Sequence, residues 1–74
     1  MYESVGVNLN NGYGLFIQID ELDRELHYFI EFNRIEEDDG WNPLDTEMVY
    51  FDVIDLDYYI ERYLENWYRR YIAE

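Results

Sequence analysis

Carboxylates are the main chemical resource of this chain. Its 74 residues include 18 Asp and Glu against five Arg, with no Lys, one His and no Cys. Paired carboxylates divide acid and base roles only where a cleft drives their pKa values apart. A chain this short has little room for such a cleft, and with so many acids close pairs arise by chance, so the sequence reads as non-enzymatic. Glu36-Glu37-Asp38-Asp39-Gly40 is dense in the hard oxygen ligands that calcium takes. The EF-hand order fails there, because with Gly40 at the sixth loop position the first would be Ile35, which cannot ligate. His27 has neither a Ser or Cys partner in a nucleophilic constellation nor a second His for a metal, and reads as a structural or surface residue near Glu25 and Glu31. The absence of Cys removes disulfides, Cys-ligated zinc and thiol catalysis. No metal and no cofactor are expected.

What remains is charge. The formal net charge is −13, and its distribution is uneven. Residues 36–57 hold nine acids and no base, whereas residues 58–74 hold three acids and three Arg. Such asymmetry suggests a focused negative field. Direct nucleic-acid binding is disfavoured, since the basic footprint it needs is limited to Arg69-Arg70. The inverse fits better: a surface that imitates nucleic acid. B-DNA carries one charge per ~1.7 Å of axis, so thirteen charges match about 22 Å of duplex. Alternate strand residues lie about 6.6–6.8 Å apart, and i,i+4 positions on a helix about 6 Å apart. Both spacings suit a row of phosphate surrogates. The candidates are Glu36, Glu37, Asp38, Asp39, Asp45, Glu47, Asp52, Asp55, Asp57, Glu61 and Glu65, with Trp41 and Tyr50 as possible anchors. Trp41, beside Pro43 in a polar stretch, either packs back onto the sheet or is held out for a partner, and packing is the favoured reading.

The elements that must position these residues follow from periodicity. Ser4–Leu9 alternates, with Val5, Val7 and Leu9 on one face, and Gly6 is a place for a bulge. Asn10-Asn11-Gly12 is a tight-turn signal. Tyr13–Asp20 alternates again, Glu21–Glu25 is a polar connection, and Leu26–Arg34 continues the pattern. Residues 36–45 (EEDDGWNPLD) have the composition of a loop. Residues 47–54 read as a fourth strand. Leu56, Tyr59, Ile60, Tyr63, Leu64, Trp67 and Tyr71 fall on one helical stripe, with Asp55 or Asp57 to cap its start and Arg69-Arg70 at its end. Asp57, Glu61 and Glu65 line its exposed side.

The expected fold is therefore α+β: one domain over residues 1–74, a small antiparallel meander of three to four strands, then one C-terminal amphipathic helix packed on one face. The other sheet face would carry Phe16, Gln18, Asp20, His27, Phe29, Glu31, Tyr50 and Asp52, a mixed aromatic and acidic surface suited to a partner or a dimer. Aromatic residues are 20% of the chain, unlike a disordered acidic tail. No basic-then-apolar leader and no apolar run near the ~18 residues of a membrane span is present, so a cytoplasmic location is expected.

In overall character the chain, with EEDDGWNPLD followed by DVIDLDYYIERYLENWYRRY, resembles the anti-defence proteins of bacteriophages and plasmids. These include anti-CRISPR and anti-restriction inhibitors, many of which act as DNA mimics. The resemblance implies a host target in the bacterial cytoplasm, such as a CRISPR effector, restriction enzyme or nuclease, blocked stoichiometrically at its nucleic-acid groove. It supplies no aligned motif, and its members do not account for the lack of Lys. Two other readings share the acidic surface or the aromatic face: an immunity protein or antitoxin capping a basic nuclease toxin, and a homodimeric interaction module.

Overall fold

A computed structural model describes residues 4–38, 40–52 and 55–72. Four strands, β1 (Ser4–Asn8), β2 (Tyr13–Leu22), β3 (Glu25–Glu36) and β4 (Gly40–Tyr50), form one antiparallel sheet in the order β1-β2-β3-β4, and helix α1 (Leu56–Tyr71) follows. This is the expected α+β meander with a C-terminal helix. Its turns have local causes. Asn10 (φ 62°) and Gly12 (φ 89°) take the left-handed conformations that Asn and Gly tolerate, while the side-chain oxygens of Asn8 and Asn11 accept from the turn backbone: Asn10 N–H donates to Asn8 Oδ1 and Tyr13 N–H to Asn11 Oδ1. The β2–β3 turn has only Asp23 and Arg24 between its strands, at φ 53° and 69°, the positive pair that a two-residue primed turn requires. What reads as a polar connection over 21–25 is thus mostly strand.

Alternation places Leu15, Ile17, Ile19, Tyr28, Ile30, Phe32 and Val49 on one side of the sheet through the pairings Leu15↔Phe32, Ile17↔Ile30, Ile19↔Tyr28 and Tyr28↔Val49. Helix α1 covers this side. Its start is capped by Asp55, whose carboxylate accepts from the Tyr58 N–H at 3.1 Å. Its inner stripe sends Trp67 into the core, where the indole stacks on Phe32 at 5.2 Å. Phe32 also stacks on Tyr13 at 5.2 Å and meets Tyr68 and Tyr71 at its margins. Leu15, Ile30, Phe32, Val49 and Trp67 form the buried cluster, ringed by partly buried apolar residues from the helix and sheet.

Two details correct the sequence reading. Residues 40–45 are strand, not loop, and β4 stops at Tyr50, with Phe51 and Asp52 in a turn; Val53 and Ile54 lie outside the described residues. Gly6 is not a bulge, since β1 pairs with β2 in unbroken register. The irregularity lies between β3 and β4. Phe32 pairs with Asp45 but Asn33 pairs with Pro43, leaving Leu44 as an extra residue. The bulge lets Leu44 pack on the core and Asp45 meet the helix. It also turns Pro43 and Trp41 to the side opposite Asp45, because a one-residue shift exchanges faces.

Candidate functional site

The bulge fixes the fate of Asp45. Its carboxylate accepts from Arg70 Nη1 at 2.6 Å, from the Tyr71 hydroxyl at 3.0 Å and from the Thr46 N–H at 2.9 Å. Desolvation raises its pKa, but the Thr46, Tyr71 and Arg70 interactions together outweigh it and hold the carboxyl below its ordinary value of 3.8. A carboxylate with a depressed folded pKa adds stability above its unfolded pKa and loses it as the pH falls through the folded value. Asp45→Asn is therefore expected to melt below the wild type at neutral pH, with the gap closing only as the pH drops beneath 3.8. A gap of constant size well below that pH would show that the carboxylate charge is not what ties β4 to the helix. Glu47, opposite Ile30, also points to the helix side and is half-buried. Burial first, and then its charge, push the Tyr63 phenol above its ordinary pKa.

The other candidate acids separate into two groups. Glu36, Glu37 and Asp38 sit at the β3–β4 hairpin, at the same end of the sheet as Asn11 and the C-terminal turn of α1; Asn11 Nδ2 donates to the Tyr68 hydroxyl there. Asp39 lies outside the described residues. Asp52 and Asp55 are at the opposite end, where α1 begins. Asp57, Glu61 and Glu65 run from that end along the outside of α1, all exposed, at about 6 Å per step. Glu65 is bonded to Arg69 at 2.8 Å, and Arg69 with Arg70 closes the row before it reaches the hairpin. The i,i+4 spacing of Glu65 and Arg69 predicts this pair from the sequence.

The end that carries Asp52 and Asp55 gathers further acids. Asp20, Asp23 and Glu25 surround the β2–β3 turn, and Glu25 shares a shallow hollow with Asp52, Leu26, Tyr50 and Phe51. The acidic surface therefore wraps this end of the sheet, from the helix stripe on one side to the helix-free side on the other.

That helix-free side has its own order. Cross-strand pairing sets Asp20, His27 and Tyr50 in one row, Ser4, Gln18, Phe29 and Met48 in the next, and Gly6, Phe16, Glu31 and Thr46 in a third. Tyr50 is 60% exposed and its ring lies against His27 at 4.7 Å. His27 Nδ1 is 3.1 Å from the Glu25 carbonyl. Trp41 packs back onto this side, 4.7 Å from the Phe16 ring, as the favoured sequence reading expects. Its bed is Gly14: a Cβ there would stand 2.7 Å from the indole Cη2 and Cζ3, and one on Gly6 would stand 3.1 Å from Phe16. Gly6 and Gly14, on the same face of adjacent strands and diagonal to each other, were the available signal for a large side chain lying over them. Gly14→Ala is expected to displace the Trp41 ring and lower stability by about 1–3 kcal/mol, read as a shift in the urea midpoint; an unchanged midpoint would mean that the indole does not rest there.

Comparison of the chain with protein-family models, with curated proteins and with solved structures finds no match. The site must accordingly be read from its own chemistry. Among the described residues no group of three His, Cys, Asp or Glu converges as a metal site, and no helix is long and apolar enough to cross a membrane. The arrangement is a dense array of exposed carboxylates beside an aromatic sheet face.

Proposed function

We propose that this protein is a stoichiometric, non-catalytic inhibitor that occupies the cationic nucleic-acid groove of another protein, in the manner of anti-CRISPR and anti-restriction DNA mimics. One observation carries the reading: among the described residues, only Asp45 and Glu65 are held in ion pairs. The described acids of the β2–β3 end and of the β3–β4 hairpin, with Asp57 and Glu61, stand exposed outside any salt bridge, although Arg24 lies in the β2–β3 turn among them. Folding gains nothing from such an array, because like charges at close spacing oppose compaction. A groove lined with Lys and Arg supplies what is missing.

The dimensions support the same reading. The molecule measures 36 × 25 × 18 Å. A duplex 36 Å long would carry about 21 charges at one per ~1.7 Å, the same order as the net −13 here. Because the acids wrap the end that holds the β2–β3 turn, that end leads into the groove, with the helix stripe against one wall and the sheet face against the other.

The test is capture by the tagged protein from bacterial lysates expressing CRISPR and restriction effectors, washed at low and then high salt. A cationic effector retained at low salt and released by duplex DNA supports the reading, since electrostatic association weakens with screening. A nuclease toxin retained without competition from DNA would replace it with the immunity-protein reading. Recovery of the protein alone would overturn both.

A further inference from the structure

Glu31 is the one half-buried carboxylate on the helix-free side, and its surroundings are unusual for an acid. It stands on β3 with Phe16 directly opposite on β2, Thr46 directly opposite on β4 and Phe29 two residues earlier on its own strand. These residues, with Gln18 and Ser4, line a cavity of about 320 Å³, at the small end of the ~300–1,000 Å³ range of ligand sites. Trp41 backs the Phe16 ring. Among the described residues no cation reaches the carboxylate: Arg34 shares the helix side with Tyr13, Arg62, Arg69 and Arg70 are on α1, and Arg24 is in the β2–β3 turn.

We infer that this cavity receives an arginine side chain of the partner protein. The inference rests on the cationic-groove reading above and names the chemistry of one contact within it. An arginine suits the lining in each of its parts. Its apolar stem and planar guanidinium lie against phenylalanine faces, which attract a cation through the ring quadrupole. Its N–H groups meet the Glu31 carboxylate and the neutral oxygens of Gln18, Thr46 and Ser4. Lysine offers a compact, strongly hydrated ammonium that gains less from a flat aromatic wall. A second copy docking through the same face is the wrong occupant, since it would bring its own Glu31 and Asp20 against these while its Arg side chains lie on the helix, the helix side and the β2–β3 turn.

The probe is the peptide acetyl-Gly-Arg-Gly-amide, titrated into the full ¹⁵N-labelled chain at low salt and compared with the lysine and citrulline peptides and with an arginine octamer. The arginine peptide is expected to move the amides of Phe16, Gln18, Phe29, Glu31 and Thr46 in a saturable way. Glu31→Gln is expected to weaken it by about tenfold or more, whereas Glu21→Gln, which removes the same charge outside the cavity, changes it less than about twofold. Phe29→Leu, which keeps the apolar volume and removes the ring, should weaken the arginine peptide more than the lysine peptide, with thermal melting confirming that each variant is folded. Equal loss in Glu21→Gln and Glu31→Gln, or shifts confined to the acidic end and the helix stripe, would overturn the arginine cavity and leave the cationic-partner reading standing. An arginine octamer that binds nowhere on the protein would overturn that reading as well.

Discussion

Replacement of Trp67 by alanine is expected to leave the chain largely unfolded at 25 °C in low salt. Trp67 is 1% exposed, stacks on Phe32 at 5.2 Å and meets Tyr63 at 5.9 Å. It is the buried residue of α1 and so the principal link between helix and sheet. Removing a buried Trp or Phe side chain costs about 3–5 kcal/mol. A single core below roughly 80 residues supplies about the same, and this one also works against a net charge of −13. Near-UV circular dichroism and urea unfolding give the answer directly. Added salt should restore part of the signal by screening the carboxylates. Leu22→Ala, at a residue 41% exposed on the end of β2, is the comparison and should move the midpoint by about 0.5 kcal/mol or less. A cooperative melt of Trp67→Ala close to that of the wild type would show that the helix is held by its margins and not by this ring.

The second large effect concerns the partner. Asp52→Asn, Asp57→Asn and Glu61→Gln together are expected to weaken binding to the captured cationic partner by about 3- to 150-fold at low salt, at roughly 0.2–1 kcal/mol per exposed charge contact. Asp55 is left alone because it caps α1. The matched set Glu36→Gln, Glu37→Gln and Asp38→Asn, at the far end of the sheet, should lower affinity only a few-fold through the shared long-range field. Neither set should destabilise the fold. Relief of the Asp57–Glu61 and Glu61–Glu65 repulsions at i,i+4 offsets the loss of the Asp57 charge from the first turn of α1, so the first variant should melt close to the wild type. Equal losses in both sets would mean that only total charge matters; a greater loss in the hairpin set would mean that the β3–β4 end leads.

Much of this architecture is visible in the residues themselves. The alternation through Leu15, Ile17, Tyr28, Ile30 and Phe32 names the covered face, and the stripe from Leu56 to Tyr71 names the helix that covers it; β1, which alternation reads as half-buried, lies on that side with Val5 and Val7 still exposed. Asn10-Asn11-Gly12 marks the first hairpin. The start of β4 is hidden, because Gly-Trp-Asn-Pro-Leu-Asp has turn composition and becomes strand only through its pairing with β3 and the seat of Trp41 on Gly14. The Asp23-Arg24 turn is hidden for a related reason: it contains no Gly, although both residues adopt positive φ. For the candidate site, the aromatic and acidic face of Phe16, Phe29 and Glu31 follows from alternation. The clasp on Asp45 does not, because it joins residues 25 and 26 positions apart. The separation of the hairpin acids from the helix stripe likewise depends on which ends of the elements meet.

Leu44, the extra residue of the β3–β4 bulge, makes the decoration of the sheet sensitive to a change of register by one. Deleting it would keep the present pairings, with Asp45 opposite Phe32 and Pro43 opposite Asn33; keeping it but pairing it with Asn33 would turn Pro43 and Trp41 toward the helix. Phe16 would then lose its cover, and the bare groove over Gly6 and Gly14 would open along the helix-free side. A one-residue slip of β4 past β3 thus exchanges a roofed sheet face for an open one without altering any residue.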